Sequence, residues 1–79
     1  MPEYIPEGSH VRTKKGDLYT SAVGEEASLH SQLQIKGDMI GTAEGPDPED
    51  LNYQIFAFDF EGEGRISVTV PPDQLEVVS

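Results

Sequence analysis

The clearest structural signal in this chain is the segment Tyr53-Gln-Ile-Phe-Ala-Phe-Asp-Phe-Glu-Gly-Glu-Gly-Arg-Ile-Ser-Val-Thr-Val70. Apolar side chains recur at every second position on both sides of a pair of glycines, which is the period of strands that bury one face. The segment therefore predicts two antiparallel strands joined by a short turn. The side chains expected in the core are Phe56, Phe58, Phe60, Ile66, Val68 and Val70.

The register of this hairpin is predicted by placing both apolar sets on the same side of the ribbon. A three-residue loop over residues 62–64 satisfies that condition, whereas a two-residue loop would turn one set outward. The loop puts Phe60 opposite Ile66. Two positions further on, Phe58 lies opposite Val68. The last glycine of the loop then takes the left-handed conformation that such loops favour.

Two further glycine turns lie upstream, at Lys15-Gly-Asp-Leu18 and, 21 residues later, at Lys36-Gly-Asp-Met39. A two-residue glycine turn between extended segments predicts a hairpin. In the second hairpin the predicted register places Ile35 opposite Ile40. The similar residues around the two turns are compatible either with an internal duplication or with chance.

The remaining segments complete a small barrel. Residues 1–8 contain two prolines and a glycine and predict an extended arm, and residues 9–79 predict a single β domain. Residues 25–33 fit a strand or a short helix, because Leu29 and Leu33 lie four apart behind an acidic first turn. The chain is thus predicted to be all-β, with five to six antiparallel strands built from consecutive hairpins and a helix at 25–33 as the alternative.

Three parts of the chain resemble the SH3-like barrels: Gly8-Ser-His-Val-Arg12, Met39-Ile-Gly-Thr-Ala43 and Val70-Pro-Pro-Asp-Gln-Leu-Glu-Val77. In that family a strand that ends at proline is followed by one turn of 3₁₀ helix and a Leu-Glu-x-Val strand. The resemblance implies an SH3-like barrel. The chain looks most like small accessory subunits of this fold, such as the variable chain of ferredoxin–thioredoxin reductase.

The charge of the chain restricts its partners. Its 79 residues carry a formal net charge of −10, with only five Lys and Arg. Contacts to nucleic acid and to anionic membranes depend on Lys and Arg, so we expect neither partner. The chain has no cysteine, no signal-peptide pattern and no long apolar run. We therefore expect a cytoplasmic protein without disulfides.

Catalytic and metal-binding patterns are not found in the sequence. The two histidines, His10 and His30, lie in no metalloprotease or hydrolase motif. The C-terminus is also similar to the plasmid-encoded trimethoprim-resistant dihydrofolate reductases, which carry a catalytic Val-Gln-Ile-Tyr stretch. Here the corresponding residues are Ser67-Val-Thr-Val70, so no catalytic residue carries over. We expect no enzyme activity, no cofactor and no metal.

Two groups of residues are candidates for partner contact. Tyrosine and methionine are enriched at the centres of interfaces, although they could instead complete the core. Carboxylates are concentrated in a proline-rich loop, within a run from Glu44 to Glu63 that has seven acids and no base. The candidates for partner binding are Tyr4, Tyr19, Met39, Asp47, Glu49, Asp50 and Tyr53.

These observations predict a non-catalytic module that binds another protein, as a small accessory or regulatory subunit of a larger complex. The alternative is an acidic inhibitor that imitates nucleic acid, of the kind that phages encode, and blocks a basic nucleic-acid-binding protein. Both hypotheses allow a basic partner. The second predicts a steep dependence of affinity on salt.

Overall fold

A computed structural model describes residues 3–24 and 32–78. Within them, seven antiparallel strands form one sheet that curls into a half-barrel, in the order β3-β2-β6-β5-β4-β1-β7. The all-β prediction is confirmed, with more strands than the five to six expected. The strands are β1 (His10–Thr13), β2 (Leu18–Ala22), β3 (Leu33–Ile35), β4 (Gly41–Pro46), β5 (Gln54–Phe60), β6 (Gly64–Val70) and β7 (Leu75–Val77).

Strands β4, β5 and β6 form a meander at the centre of the sheet. The apolar sets of β5 and β6 share one face, as the alternation predicted, and Phe56, Phe58 and Val68 are completely buried. The inner side of the curl is closed by Val11, Ala22, Ile35, Ala43, Phe56, Phe58, Phe60, Ile66, Val68, Val70 and Leu75.

The predicted register of the last hairpin is wrong by two residues. Phe58 lies opposite Ile66, and Phe60 lies opposite Gly64. The Glu63 amide donates to the Phe60 carbonyl at 3.0 Å, so the tight turn is centred on Glu61 and Gly62. Gly62 has a φ of 81°, as a type II turn requires at that position. A slip of two residues keeps every side chain on its face, so the alternation alone does not exclude it.

The two upstream glycine turns do not make hairpins, which corrects the prediction. β1 pairs with β4 and β7, whereas β2 pairs with β3 and β6. Ile35 is fully buried but Ile40 is 50% exposed, so these residues do not face each other across a hairpin. The second turn does form, because the Met39 amide donates to the Lys36 carbonyl at 3.0 Å. Its two flanking strands then diverge to different partners.

The two turns contact each other instead. A side chain at Gly37 would lie 3.1 Å from the Cα atom of Gly16, so the two backbones touch. The Asp17 carboxylate links the two turns: it accepts from the Gln34 side-chain amide at 3.1 Å and from the Gly37 backbone amide at 3.2 Å. We call this arrangement the clasp: the turn at residues 14–17 bound against the turn at residues 36–39.

The clasp has an approximate internal symmetry. The offset of 21 residues that relates the two turns carries β1 onto β3 and β2 onto β4 to within three residues at each end. Each strand–turn–strand segment pairs with the other, β1 with β4 and β2 with β3. The registers of the two pairings differ by one residue under this offset, so the symmetry is not exact.

The chain closes beside its first strand. A 3₁₀ turn at Pro72–Gln74 leads into β7, which lies next to β1 with Thr13 opposite Leu75. The strand-or-helix alternative for residues 25–33 falls mostly on residues 25–31, which lie outside the described residues, and Leu33 begins β3. No helix in the described part of the chain is long and apolar enough to cross a membrane.

Candidate functional site

Two of the predicted contact residues, Tyr19 and Tyr53, line one groove of about 260 Å³. Tyr19 is 63% exposed, the highest exposure among the large apolar side chains of the described residues. Thr69 and Pro71 form the opposite wall. We call this feature the tyrosine groove; its lining is Leu18, Tyr19, Thr20, Ser21, Tyr53, Thr69, Val70 and Pro71.

The sheet register explains how the groove forms. Ser21 lies opposite Thr69, so the outward-pointing side chains of β2 stand beside those of β6. Tyr19 is two residues before Ser21 and therefore points to the same outer side. The Thr20 hydroxyl donates to the Thr69 carbonyl, which fastens β2 to β6 at this point. Tyr53 directly precedes β5 and closes the groove from the neighbouring strand.

The acidic loop, which we define as residues 46–52, is joined to the groove by Asp47. This residue is only 8% exposed, and its carboxylate is fully engaged. One oxygen accepts from the Glu49 amide at 2.9 Å and the other accepts from the Thr69 hydroxyl at 2.7 Å. The Asp47 amide donates to the Tyr53 carbonyl at 3.1 Å. Asp47 therefore holds the loop in its conformation and is largely buried.

The other two carboxylates of the loop remain available. Glu49 and Asp50 are exposed. The Tyr53 amide donates to the Asp50 carbonyl at 2.9 Å, and one Asp50 carboxylate oxygen accepts from the Asn52 amide at 3.0 Å. These bonds fold the loop into consecutive tight turns, which set two negative charges beside the tyrosine groove.

Tyr4 contacts the same loop at Leu51. It is half-buried, and its hydroxyl donates to the Leu51 carbonyl. The structure thus brings six of the seven predicted contact residues into one region around the groove and the acidic loop.

Met39 is the residue that lies apart. It packs against the core at a separate cleft of about 730 Å³, next to Asp59, Phe60 and Glu61. That cleft adjoins the last residues of β5, whereas Tyr53 precedes the first. The two features are therefore separated by the length of this strand.

Gln54 was not identified from the sequence as a residue of this region. It is 1% exposed and lies on the core-facing side of β5, where its side-chain amide bonds Ile5 and the Glu44 carbonyl. The signal that could have found it is its position in the alternation: a polar residue two places before Phe56 falls on the buried face and needs polar partners.

Polar cross-links cover the outer face of the meander. Arg65 donates to the Thr42 hydroxyl at 3.2 Å and pairs with Asp59 at 3.6 Å. The Ser67 hydroxyl donates to Glu44 at 3.1 Å. These links cross β5 over Ala57, which is only 3% exposed although it faces outward. The result is a rigid polar surface next to the groove.

This region combines an apolar surface with negative charge. An exposed aromatic ring and a second, half-buried tyrosine supply apolar area, and two exposed carboxylates supply negative charge. Among residues 3–24 and 32–78, no group of three or more His, Cys, Asp or Glu side chains is arranged to hold a metal ion. His10 is exposed on β1, and His30 lies outside the described residues.

Comparison of the chain with protein-family models, with curated proteins and with solved structures found no match. The tyrosine groove and the acidic loop are therefore the features from which a function can be proposed.

Proposed function

We propose that this protein is a non-catalytic module that binds another protein, as an accessory or regulatory subunit of a larger complex. The observation that carries the proposal is the convergence of Tyr19 and Tyr53 on one groove, beside a loop that exposes Glu49 and Asp50. Tyrosines that can be fully covered by a partner are frequent energetic centres of interfaces.

The charge of the loop favours a basic partner. Glu49 and Asp50 belong to the run from Glu44 to Glu63, which has seven acids and no base. In a chain of net charge −10, such a run attracts positively charged surfaces and repels negative ones. The tyrosines would supply most of the binding energy, while the carboxylates would set the choice of partner and the association rate.

Affinity capture from the native host, followed by mass spectrometry, tests the role of the groove. The Tyr19→Ser variant should lose the captured partner that the unaltered protein recovers, by about tenfold or more for an interface anchor. Ile40→Ser is the matched control, because Ile40 is 50% exposed and lies outside the tyrosine groove. Equal capture by the unaltered protein and the Tyr19→Ser variant would contradict the proposal.

Charge reversal tests the acidic loop. The pair Glu49→Lys and Asp50→Lys should weaken binding to the captured partner strongly. The pair Glu61→Lys and Glu63→Lys makes the same change of net charge at the hairpin tip, at the other end of β5. A module that binds through the groove should respond to the first pair and hardly to the second.

A second candidate is the acidic inhibitor that imitates nucleic acid. Exposed carboxylates at both ends of β5 favour it, because Asp59, Glu61 and Glu63 are exposed as well as the loop. An imitation of a phosphate backbone uses charge over a wide area. Under this function both pairs of reversals would weaken binding similarly, Tyr19→Ser would matter little, and affinity would fall steeply with added salt.

We further propose that the curled sheet is an SH3-like barrel. The support is the order of its last elements, in which β6 ends at Val70, prolines follow, and a 3₁₀ turn at Pro72–Gln74 leads into β7. The seven strands exceed the number expected from the resemblance. An experimental structure that superimposes on that family would test the assignment.

A further inference from the structure

Gln54 is a buried amide among apolar neighbours. It begins β5, and its side chain points to the same face as Phe56 and Phe58 while being 1% exposed. A polar group in such a place is costly unless its hydrogen-bonding atoms are satisfied. Gln54 therefore needs specific partners, and the identity of those partners indicates its role.

The Gln54 side-chain amide binds both backbone polar groups of one residue of the N-terminal arm, Ile5. Its oxygen accepts from the Ile5 amide at 2.9 Å, and its nitrogen donates to the Ile5 carbonyl at 2.8 Å. The same nitrogen donates to the Glu44 carbonyl at 2.7 Å, where β4 has a register irregularity between Ala43 and Pro46. One side chain thus joins the arm, residues 3–8, to two central strands.

The arm continues from this anchor to the acidic loop. Tyr4, next to Ile5, donates its hydroxyl to the Leu51 carbonyl. Elsewhere in the loop, the Asp47 carboxylate accepts from the hydroxyl of Thr69, which lines the tyrosine groove. The acidic loop is therefore held between two attachments, one to the groove and one to the arm.

We propose that Gln54 is a positioning residue for the acidic loop, and that the arm is the element through which it acts. When the amide holds Ile5, Tyr4 is fixed over Leu51 and the loop presents Glu49 and Asp50 beside the groove. When the arm leaves, the loop loses its bond to Tyr4, keeps its bonds to Thr69 and Tyr53, and opens more often. This inference rests on the proposed function for its biological meaning, since it describes how the partner-binding surface is regulated.

Amide hydrogen exchange of the full chain, measured by NMR without any partner, tests the inference. Tyr4→Phe removes the link to Leu51 and leaves the ring in place. Exchange at the amides of Asp50 and Tyr53, which close the turns of the loop, should be about fivefold faster in this variant. Gln54→Met keeps the side-chain size but removes the amide, and it should accelerate the same positions by about tenfold or more.

A matched destabilised variant separates positioning from general stability. Ile66→Val shortens a core side chain that is 2% exposed and lies toward the hairpin-tip end of β6. It should lower global stability without changing exchange in the loop, because local opening there does not depend on the far end of the sheet. Unchanged exchange in Tyr4→Phe or in a folded Gln54→Met variant, or equal acceleration in Ile66→Val, would overturn the inference. If Gln54→Met fails to fold, unchanged exchange in Tyr4→Phe still overturns it, because the arm would then not hold the loop.

The two proposals fail separately. If the loop responds to Tyr4→Phe but charge reversal at Glu49 and Asp50 leaves partner capture intact, the positioning role stands and the proposed function does not. If Tyr4→Phe leaves exchange in the loop unchanged while partner capture depends on those carboxylates, the proposed function stands and the positioning role does not.

Discussion

The meander of β4, β5 and β6 and the clasp of the two glycine turns are built from similar local sequences but fold differently. In the meander, strands that follow each other along the chain pair with each other, and the turn at Glu61 and Gly62 makes a hairpin. In the clasp, neither glycine turn pairs the two strands that flank it, since β1 pairs with β4 and β3 pairs with β2. A glycine turn thus reverses or bends the chain, but it does not choose the partner strand.

What distinguishes the two regions is the amount of apolar surface that the neighbouring strands can share. β5 and β6 both alternate apolar residues over seven positions, so pairing them buries a continuous face. β1 and β3 are only four and three residues long and carry few large apolar side chains. β3 therefore lies at one edge of the sheet, and β1 lies second from the other edge, between β4 and β7.

The largest expected effect is the loss of the aromatic centre of the meander. Phe58→Ala removes a fully buried ring and should lower the free energy of unfolding by about 3–5 kcal/mol. For a chain of 79 residues this is most of the available stability, so urea denaturation should find the variant largely unfolded. Asp59→Ala, at the neighbouring exposed position, should stay within about 0.5 kcal/mol of the unaltered protein.

The next largest loss of stability is expected at Gly41. This residue begins β4, which pairs with β5 of the meander on one side and with β1 on the other. A Cβ atom there would lie 2.6 Å from the Phe58 ring. Gly41→Ala should cost about 1–3 kcal/mol in urea denaturation, because ring or backbone must move.

Gly45→Ala is the control for this position, since a Cβ atom at Gly45 would meet nothing within 4 Å and the backbone φ is not left-handed. A cost for Gly41→Ala no greater than that for Gly45→Ala would mean that the ring does not need the glycine.

A smaller effect should follow from breaking the clasp itself. Asp17→Ala removes the acceptor of two hydrogen bonds, from Gln34 and Gly37. Because the site is exposed, we expect a loss of about 1 kcal/mol or less. Asp38→Ala removes the same charge at the equivalent position of the second turn and corrects for the change in net charge. If both variants had equal stability in thermal unfolding, the carboxylate of Asp17 would not hold the clasp.

The smallest effect is expected at the ion pair between β1 and β7. Arg12 lies 3.2 Å from Glu76, with side-chain exposures of 53% and 42%. A double-mutant cycle with Arg12→Gln and Glu76→Gln should give a coupling of about 0.5 kcal/mol or less. The coupling should vanish in about 1 M salt, where the Debye length is about 3 Å. A larger, salt-resistant coupling would show that closure of the curl depends on charge.

Sequence reasoning identified the core of the meander because alternation with a period of two is a direct consequence of burying one face of a strand. It did not give the register, since a shift by two residues leaves Phe58 and Ile66 on the same face. It did not give the partners of β1 to β4 either, because pairing between distant strands depends on the whole set of alternatives.

Within the candidate site, the residue types predicted candidates for partner contact, but they did not predict the contacts that each side chain makes in the fold. Asp47, as an acid in a proline-rich loop, looked available to a partner, yet its carboxylate is taken up by Glu49 and Thr69. Methionine is enriched at the centres of interfaces, yet Met39 packs against the core at the other end of β5. The type of a side chain indicates what it can contact, whereas its neighbours in the fold determine what it does contact.

The pairing of the first strand with the last has a kinetic consequence. Arg12 and Glu76 meet across 64 positions of sequence, whereas the meander joins strands that are adjacent along the chain. Pairing of strands that are far apart in sequence is slow, because a long segment must lose conformational entropy before the stabilising contacts form. Refolding should therefore proceed outward from the meander, with β1 and β7 docking last, so that substitutions at Val11 or Leu75 accelerate unfolding while leaving the folding rate nearly unchanged.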